Sequence, residues 1–120
     1  MMLVDTQIKE AIQDGDIVIT PYDEKCVDFS AYDFHLGRHL LLPKPGQSIR
    51  FGSGVNPEYE KVDISDTPYI IKPGEFLLAQ TSEVVTIAKN IGMLVDGRTT
   101  LARLGLTIHQ TAILKKLRYT

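Results

Sequence analysis

The apolar positions near the start of the chain recur at a helical interval: Ile8, Ala11 and Ile12 fall at i, i+3 and i+4. Asp5 stands where an N-cap belongs and Gly15 where a helix stops, so the pattern predicts one short helix between them. After Gly15 the period changes. Asp16-Ile17-Val18-Ile19-Thr20 is a β-branched run closed by Pro21, and residues 32–42 form a longer strand candidate in which Gly37 marks a bulge. From Pro43 to Pro68 the chain turns to Gly, Pro, Ser, Asp and Glu, which predicts a long excursion or ragged hairpin because β patterning resumes beyond it. Lys72-Pro73-Gly74-Glu75 has Pro and Gly in the order of a type II turn. Residues 76–80, 84–88 and 91–95 then read as three short strands spaced as in a sandwich or barrel. The predicted class is mainly β with a short N-terminal helix, in a single domain over 1–120.

The last patterned stretch, GRTTLARLGLTIHQTA from Gly97 to Ala112, mixes arginines and threonines into apolar sequence. From Leu104 it alternates, with Leu104, Leu106 and Ile108 on one side and Thr107, His109 and Thr111 on the other, as in a half-buried strand. Before it, Gly97 permits a tight turn, and Thr99 or Thr100 is placed to cap one helical turn ending at Arg103. In such a turn Thr99 and Arg103 project from one face beside open backbone N–H groups. A guanidinium, a hydroxyl and amides together make a phosphate site, and the bland alternative is a surface turn with solvated arginines.

Composition narrows the class of function. Hydrophobic residues make up 43% and charged residues 23% of the 120 positions, an ordinary globular balance. A chain of this length buries roughly two thirds of its unfolded surface, which suffices for one core. No apolar run approaches the roughly 18 residues of a membrane span, and MMLVDTQIKE lacks the layout of a secretory signal, so the expectation is a cytoplasmic protein with no membrane partner. The lone Cys26 excludes an internal disulfide and reads as a small hydrophobe. Net charge is -2, which offers no global field for nucleic acid and leaves any anion site local.

The run from Gly97 to Leu106, followed by His109-Gln110-Thr111-Ala112, resembles the G-R-S-S-L-A-R-L-G-L-x-x-H-x-T-A signature of the dCTP deaminase branch of the dCTP deaminase and dUTPase superfamily. Ser30-Ala31-Tyr32-Asp33-Phe34-His35-Leu36-Gly37 is similar to its A-S-Y-D-L-R-L-G motif. Lys72-Pro73-Gly74-Glu75-Phe76 and Thr81-Ser82-Glu83 resemble its L-x-P-G-E-F and T-x-E pair. The resemblance implies a distorted β-barrel or jelly-roll subunit of the dUTPase-like type, a homotrimer with nucleotide sites between subunits, and hydrolysis of dCTP to dUTP and ammonia.

By motif, the substrate-binding residues would be Arg98, Thr99, Thr100, Leu101, Ala102, Arg103, His109, Thr111 and Ala112. Arg103 and Thr99 would also serve catalysis by holding the attacking water. Asp33 belongs to a motif that contacts metal-bound water in dUTPases and is structural in the deaminase branch. The resemblance places Mg²⁺ on the substrate triphosphate and assigns the protein no metal ligands of its own. Zinc deaminases use an H-x-E and P-C-x-x-C pattern, which one cysteine cannot supply. His35 and His39 are the remaining metal-like spacing, with Gly37 between them.

The chain departs from the branch in two ways. Thr99 and Thr100 stand where relatives have serine, which keeps the hydroxyl and adds a methyl. After Ala112 it reads ILKKLRYT, without the D-P-G-[FW]-x-G segment or the L-E strand that carries the general base, and no glutamate follows Glu83. The expectation is therefore a C-terminally truncated member, incomplete in its last strands. It would deaminate slowly or serve as a non-catalytic dNTP-binding or subunit-interaction homologue, with exposed sheet edges that favour pairing with another chain. The dUTP diphosphatase reading is weaker, since the uracil hairpin and glycine-rich C-terminal motif of that branch are absent.

Overall fold

The computed structural model describes residues 1–108. Its backbone divides into two compact units. One comprises Met1–Asp33 with the described residues from Glu83 on, and the other is Phe34–Ser82. The mainly β class is borne out.

In the first unit, α1 (Asp5–Gln13) carries Ile8 as its buried residue and packs on β1 (Ile17–Thr20). The cap lies one residue earlier than the sequence predicts: Val4 is the N-cap and Asp5 the first helical residue. The cause is Gln7, whose side-chain oxygen accepts the Val4 N–H at 3.0 Å and closes the helix start from within. The end follows prediction. Gly15 has φ of +80°, its N–H donates to Ile12, and the Asp16 N–H donates to Ala11 at 2.9 Å, which is a Schellman closure.

β1 pairs antiparallel with β7 (Val84–Ile87), Ile17 opposite Ile87 and Ile19 opposite Val85. Period-2 alternation turns Ile19 and Ile87 into the core while Val18 and Thr86 stay exposed. The Thr20-Pro21 peptide is cis. A 3₁₀ turn (Glu24–Cys26) leads to a small hairpin of β2 (Val27–Asp28) and β3 (Ala31–Tyr32). Within this unit, the Asp5 N–H donates to the Phe29 carbonyl at 2.8 Å and ties the helix start to the hairpin turn.

The second unit is a three-stranded antiparallel sheet in the order β5-β4-β6, formed by β4 (Leu36–Pro43), β5 (Tyr59–Asp63) and β6 (Leu78–Thr81). Leu40 is its buried hydrophobic side chain, opposite Val62 on one side and Ala79 on the other. The register slips between Leu36 and Leu40, as expected at Gly37. A Cβ on Gly37 would stand 2.9 Å from the Gln80 carbonyl oxygen, so the bulge requires glycine for the close approach of two backbones.

The excursion of 43–68 is the ragged hairpin. Gln47 closes it, donating to the carbonyls of Lys44 and Glu58 at 2.8 Å each and accepting the Glu58 N–H at 2.7 Å. The Lys72–Glu75 turn forms with Gly74 at φ +76°, and the Glu75 carboxylate accepts the Lys72 N–H at 2.8 Å and the Tyr69 hydroxyl.

Three strand predictions need correction. Residues 32–42 are not one strand: Tyr32 belongs to β3, and the Asp33 N–H turns to the Cys26 carbonyl at 2.8 Å, so pairing resumes only at Leu36. Residues 91–95 hold a single bridge at Met93, because the Ile91 N–H closes a turn onto Ala88 at 3.1 Å. Leu104–Ile108 is not a strand either. Leu104 caps a helical turn, and Gly105 takes φ of +84°, which ends the alternation before it can pair.

Candidate functional site

The helical turn expected between Gly97 and Leu104 is present as α2 (Thr99–Arg103). Its entry is fixed by two features. The Gly97 N–H donates to the Asp96 carboxylate at 2.8 Å, and a Cβ on Gly97 would meet the Ile108 side chain at 2.8 Å, so a larger residue would have to displace Ile108. Arg98, rather than Thr99 or Thr100, occupies the N-cap, with extended ψ of 146° and no side-chain cap. The Arg98 carbonyl accepts from Leu101 and Ala102, and the Gly105 and Leu106 N–H groups close a second Schellman motif onto Ala102 and Leu101. The backbone of Leu101 and Ala102 is thus used within the turn itself.

Every residue of α2 is exposed. Thr99 and Arg103 lie four apart and so share one face, as the sequence predicts. Five residues give too weak a dipole to hold an anion unaided, so anion binding here depends on side-chain charge.

The feature that sequence reasoning missed lies beside this turn. Arg98 Nη1 stands 3.2 Å from Asp33 Oδ2, which joins the first and central family-like motifs across a long sequence separation. Opposite charge in two motifs of one site was the available signal. Asp33 follows β3, where the Tyr32 ring stacks on Tyr22 with centroids 6.0 Å apart and its phenol oxygen accepts the Asp23 N–H at 3.0 Å. Burial pushes the Tyr32 phenol up, and the nearby Cys26 and Glu83 add to the shift against the opposing Asp23 hydrogen bond. Glu83, from the T-x-E pair, is itself buried at 5% exposure.

His109, Thr111 and Ala112 lie outside the described residues. His39 Nε2 is 3.6 Å from Asp63 Oδ2, and Arg38 Nη2 donates to the same oxygen at 2.7 Å. Among the described residues, no group of three or more His, Cys, Asp and Glu is arranged to hold a metal ion.

Comparison with known proteins decides the kinship. A family model described as dCTP deaminase-like matches residues 2–119. The chain belongs to the dCTP deaminase-like family. Its relatives include proteins named "dCTP deaminase, dUMP-forming" from Methanoregula boonei, 33% identical over 118 residues, and from Streptomyces coelicolor, 34% identical over 119. These alignments cover 92% and 93% of this chain but 61% and 60% of the relatives. A third, from Methanothermobacter thermautotrophicus, is 34% identical over 117 residues and is covered to 59%. The dCTP deaminase-like chain thus spans about three fifths of the length of the curated relatives it matches. Among its described residues, no helix is long and apolar enough to cross a membrane.

Proposed function

We propose that this dCTP deaminase-like chain binds the triphosphate of dCTP through Arg98, Thr99, Thr100 and Arg103 and contributes to hydrolytic deamination of the cytosine. The observation that carries the reading is the exposed α2 turn with Arg98 drawn against Asp33, which joins two of the family-like motifs at one place. Arg98 at the N-cap and Arg103 in the last position of the surface turn supply charge-assisted donors with the fork geometry that phosphate oxygens accept. Arg103 and Thr99, which share one face of the turn, would hold a water at C4 of the base. His109, Thr111 and Ala112 would flank the base.

In the reaction, water adds at C4 and ammonia leaves, which turns the C4 amine of cytosine into the C4 carbonyl of uracil. The relatives' name includes dUMP as product, so loss of pyrophosphate is a second step that this reading admits. Mg²⁺ fits as a partner of the phosphates and waters, the coordination it prefers, and needs no cage of protein carboxylates. Assembly as a homotrimer or by edge pairing and a cytoplasmic location belong to the same reading.

Titration with dCTP and Mg²⁺ by calorimetry tests it. We expect saturable binding that weakens about 10- to 100-fold in Arg98→Ala, the range for losing a charge-assisted hydrogen bond. Absence of binding at millimolar dCTP would sink the reading. Product analysis then divides the chemistry: ammonia with dUTP indicates deamination alone, and ammonia with pyrophosphate and dUMP the combined reaction. Binding without either marks a non-catalytic homologue.

A further inference from the structure

We propose that Asp33 is a positioning residue for Arg98, holding the guanidinium where it meets phosphate rather than competing with phosphate for it; this rests on the nucleotide-binding reading above. Asp33 is the partner held by its backbone. Its backbone N–H is bonded to the Cys26 carbonyl at 2.8 Å, directly after a strand held in register with β2 (Val27 opposite Tyr32). That strand ends on the Tyr32 ring, stacked on Tyr22 and anchored by the Asp23 N–H. Arg98 is the reaching partner, with its side chain 66% exposed against 36% for Asp33. An unrestrained arginine there would sample many rotamers, and each phosphate contact would have to order it anew.

The contact geometry favours holding over competing. One guanidinium nitrogen meets one carboxylate oxygen at 3.2 Å, longer than the 2.7–2.9 Å typical of tight charge-assisted bonds. A guanidinium has five N–H donors, so a one-point contact at Nη1 leaves donors for phosphate without breaking the pair. A competing carboxylate would instead take the fork edge-on.

The test uses the whole chain with two readouts. The first is the order parameter of the Arg98 Nε–H group by NMR in ligand-free protein. The second is calorimetric binding of inorganic tripolyphosphate, which carries the charge of the nucleotide without its base. In Asp33→Asn we expect a mobile Arg98 Nε–H and about three- to fivefold weaker tripolyphosphate binding, the scale of an exposed ion pair. Asp33→Glu should restore part of both, and in an Arg98→Gln background Asp33→Asn should change binding no further. An Arg98 Nε–H equally ordered in Asp33→Asn overturns the proposal, as does tighter tripolyphosphate binding, which would make Asp33 a competitor. If Arg98 loosens in Asp33→Asn but wild-type chain binds no tripolyphosphate, the nucleotide reading itself fails, and the positioning role falls with it.

Discussion

The two units are held together by different means. In the unit formed by Met1–Asp33 and the described residues from Glu83 on, Ile8, Ile19 and Ile87 are buried, so a helix and a strand pair close around apolar side chains. In Phe34–Ser82 only Leu40 among the described apolar residues is buried, and polar clasps tie the turns and strand ends. Gln47 closes the hairpin, Glu75 closes the turn onto Tyr69, and Asp63 gathers Arg38, His39 and Ser65. Packing spreads its support over several residues, whereas clasps at exposed positions each contribute little. The described residues of the candidate site, Asp33, Arg98 and α2, belong to the packed unit.

The sharpest way to break this comparison is to empty each core in turn. Leu40→Ala and Ile19→Ala should each cost about 2–5 kcal/mol, since both delete buried methyl groups. The consequences should differ. Leu40→Ala leaves its sheet with no buried apolar residue, so amide protection should vanish across 36–43 and 59–63, whereas Ile19→Ala retains Ile8 and Ile87 and should keep part of the protection in 84–87. Hydrogen exchange read by peptide would show it, and equal loss in the two variants would refute the contrast.

A smaller effect is expected from Gly37→Ala. The added Cβ would stand 2.9 Å from the Gln80 carbonyl oxygen, a backbone atom that moves only if the β4–β6 register moves. Overpacking of this kind costs about 1–3 kcal/mol, and an unchanged urea midpoint would contradict the account.

These same residues show what the sequence made legible. Ile8, Ala11, Ile12 and Gly15 defined α1 because helical period and glycine stop are local signals. Gly37 marked the bulge for the same reason. Residues 91–95 and 104–108 look as strand-like as β1 by composition, but strand formation needs a partner, and pairing is not written locally. Gly105 illustrates the limit: in 104–108 an alternating pattern lost to one left-handed residue that closes a helix. At the site, motif spacing located the turn and its shared face, while the Asp33–Arg98 pair emerged only once β3 and α2 were placed in space.

The smallest predicted effect concerns acid. The Ser65 hydroxyl, then its backbone N–H at 2.9 Å, then the Arg38 guanidinium hold Asp63 well below the usual carboxylate range. The Tyr69 hydroxyl and the Lys72 N–H lower Glu75 in the same direction. A carboxyl whose folded value is depressed contributes stability that is present above its unfolded value, near pH 4, and is lost as pH falls toward the folded value. Both groups lie in Phe34–Ser82, so lowering the pH from 5 to 3 should loosen 36–43 and 59–65 more than 17–20 and 84–87. The exposure of these clasps keeps the change modest, because solvent screens surface pairs. Asp63→Asn removes the group that must be protonated, so in that variant the acid-induced loss of protection in 59–65 should shrink. A pH response in Asp63→Asn as large as in the wild-type chain would show that the clasp is ornamental and that the two units differ only in how many apolar side chains they bury.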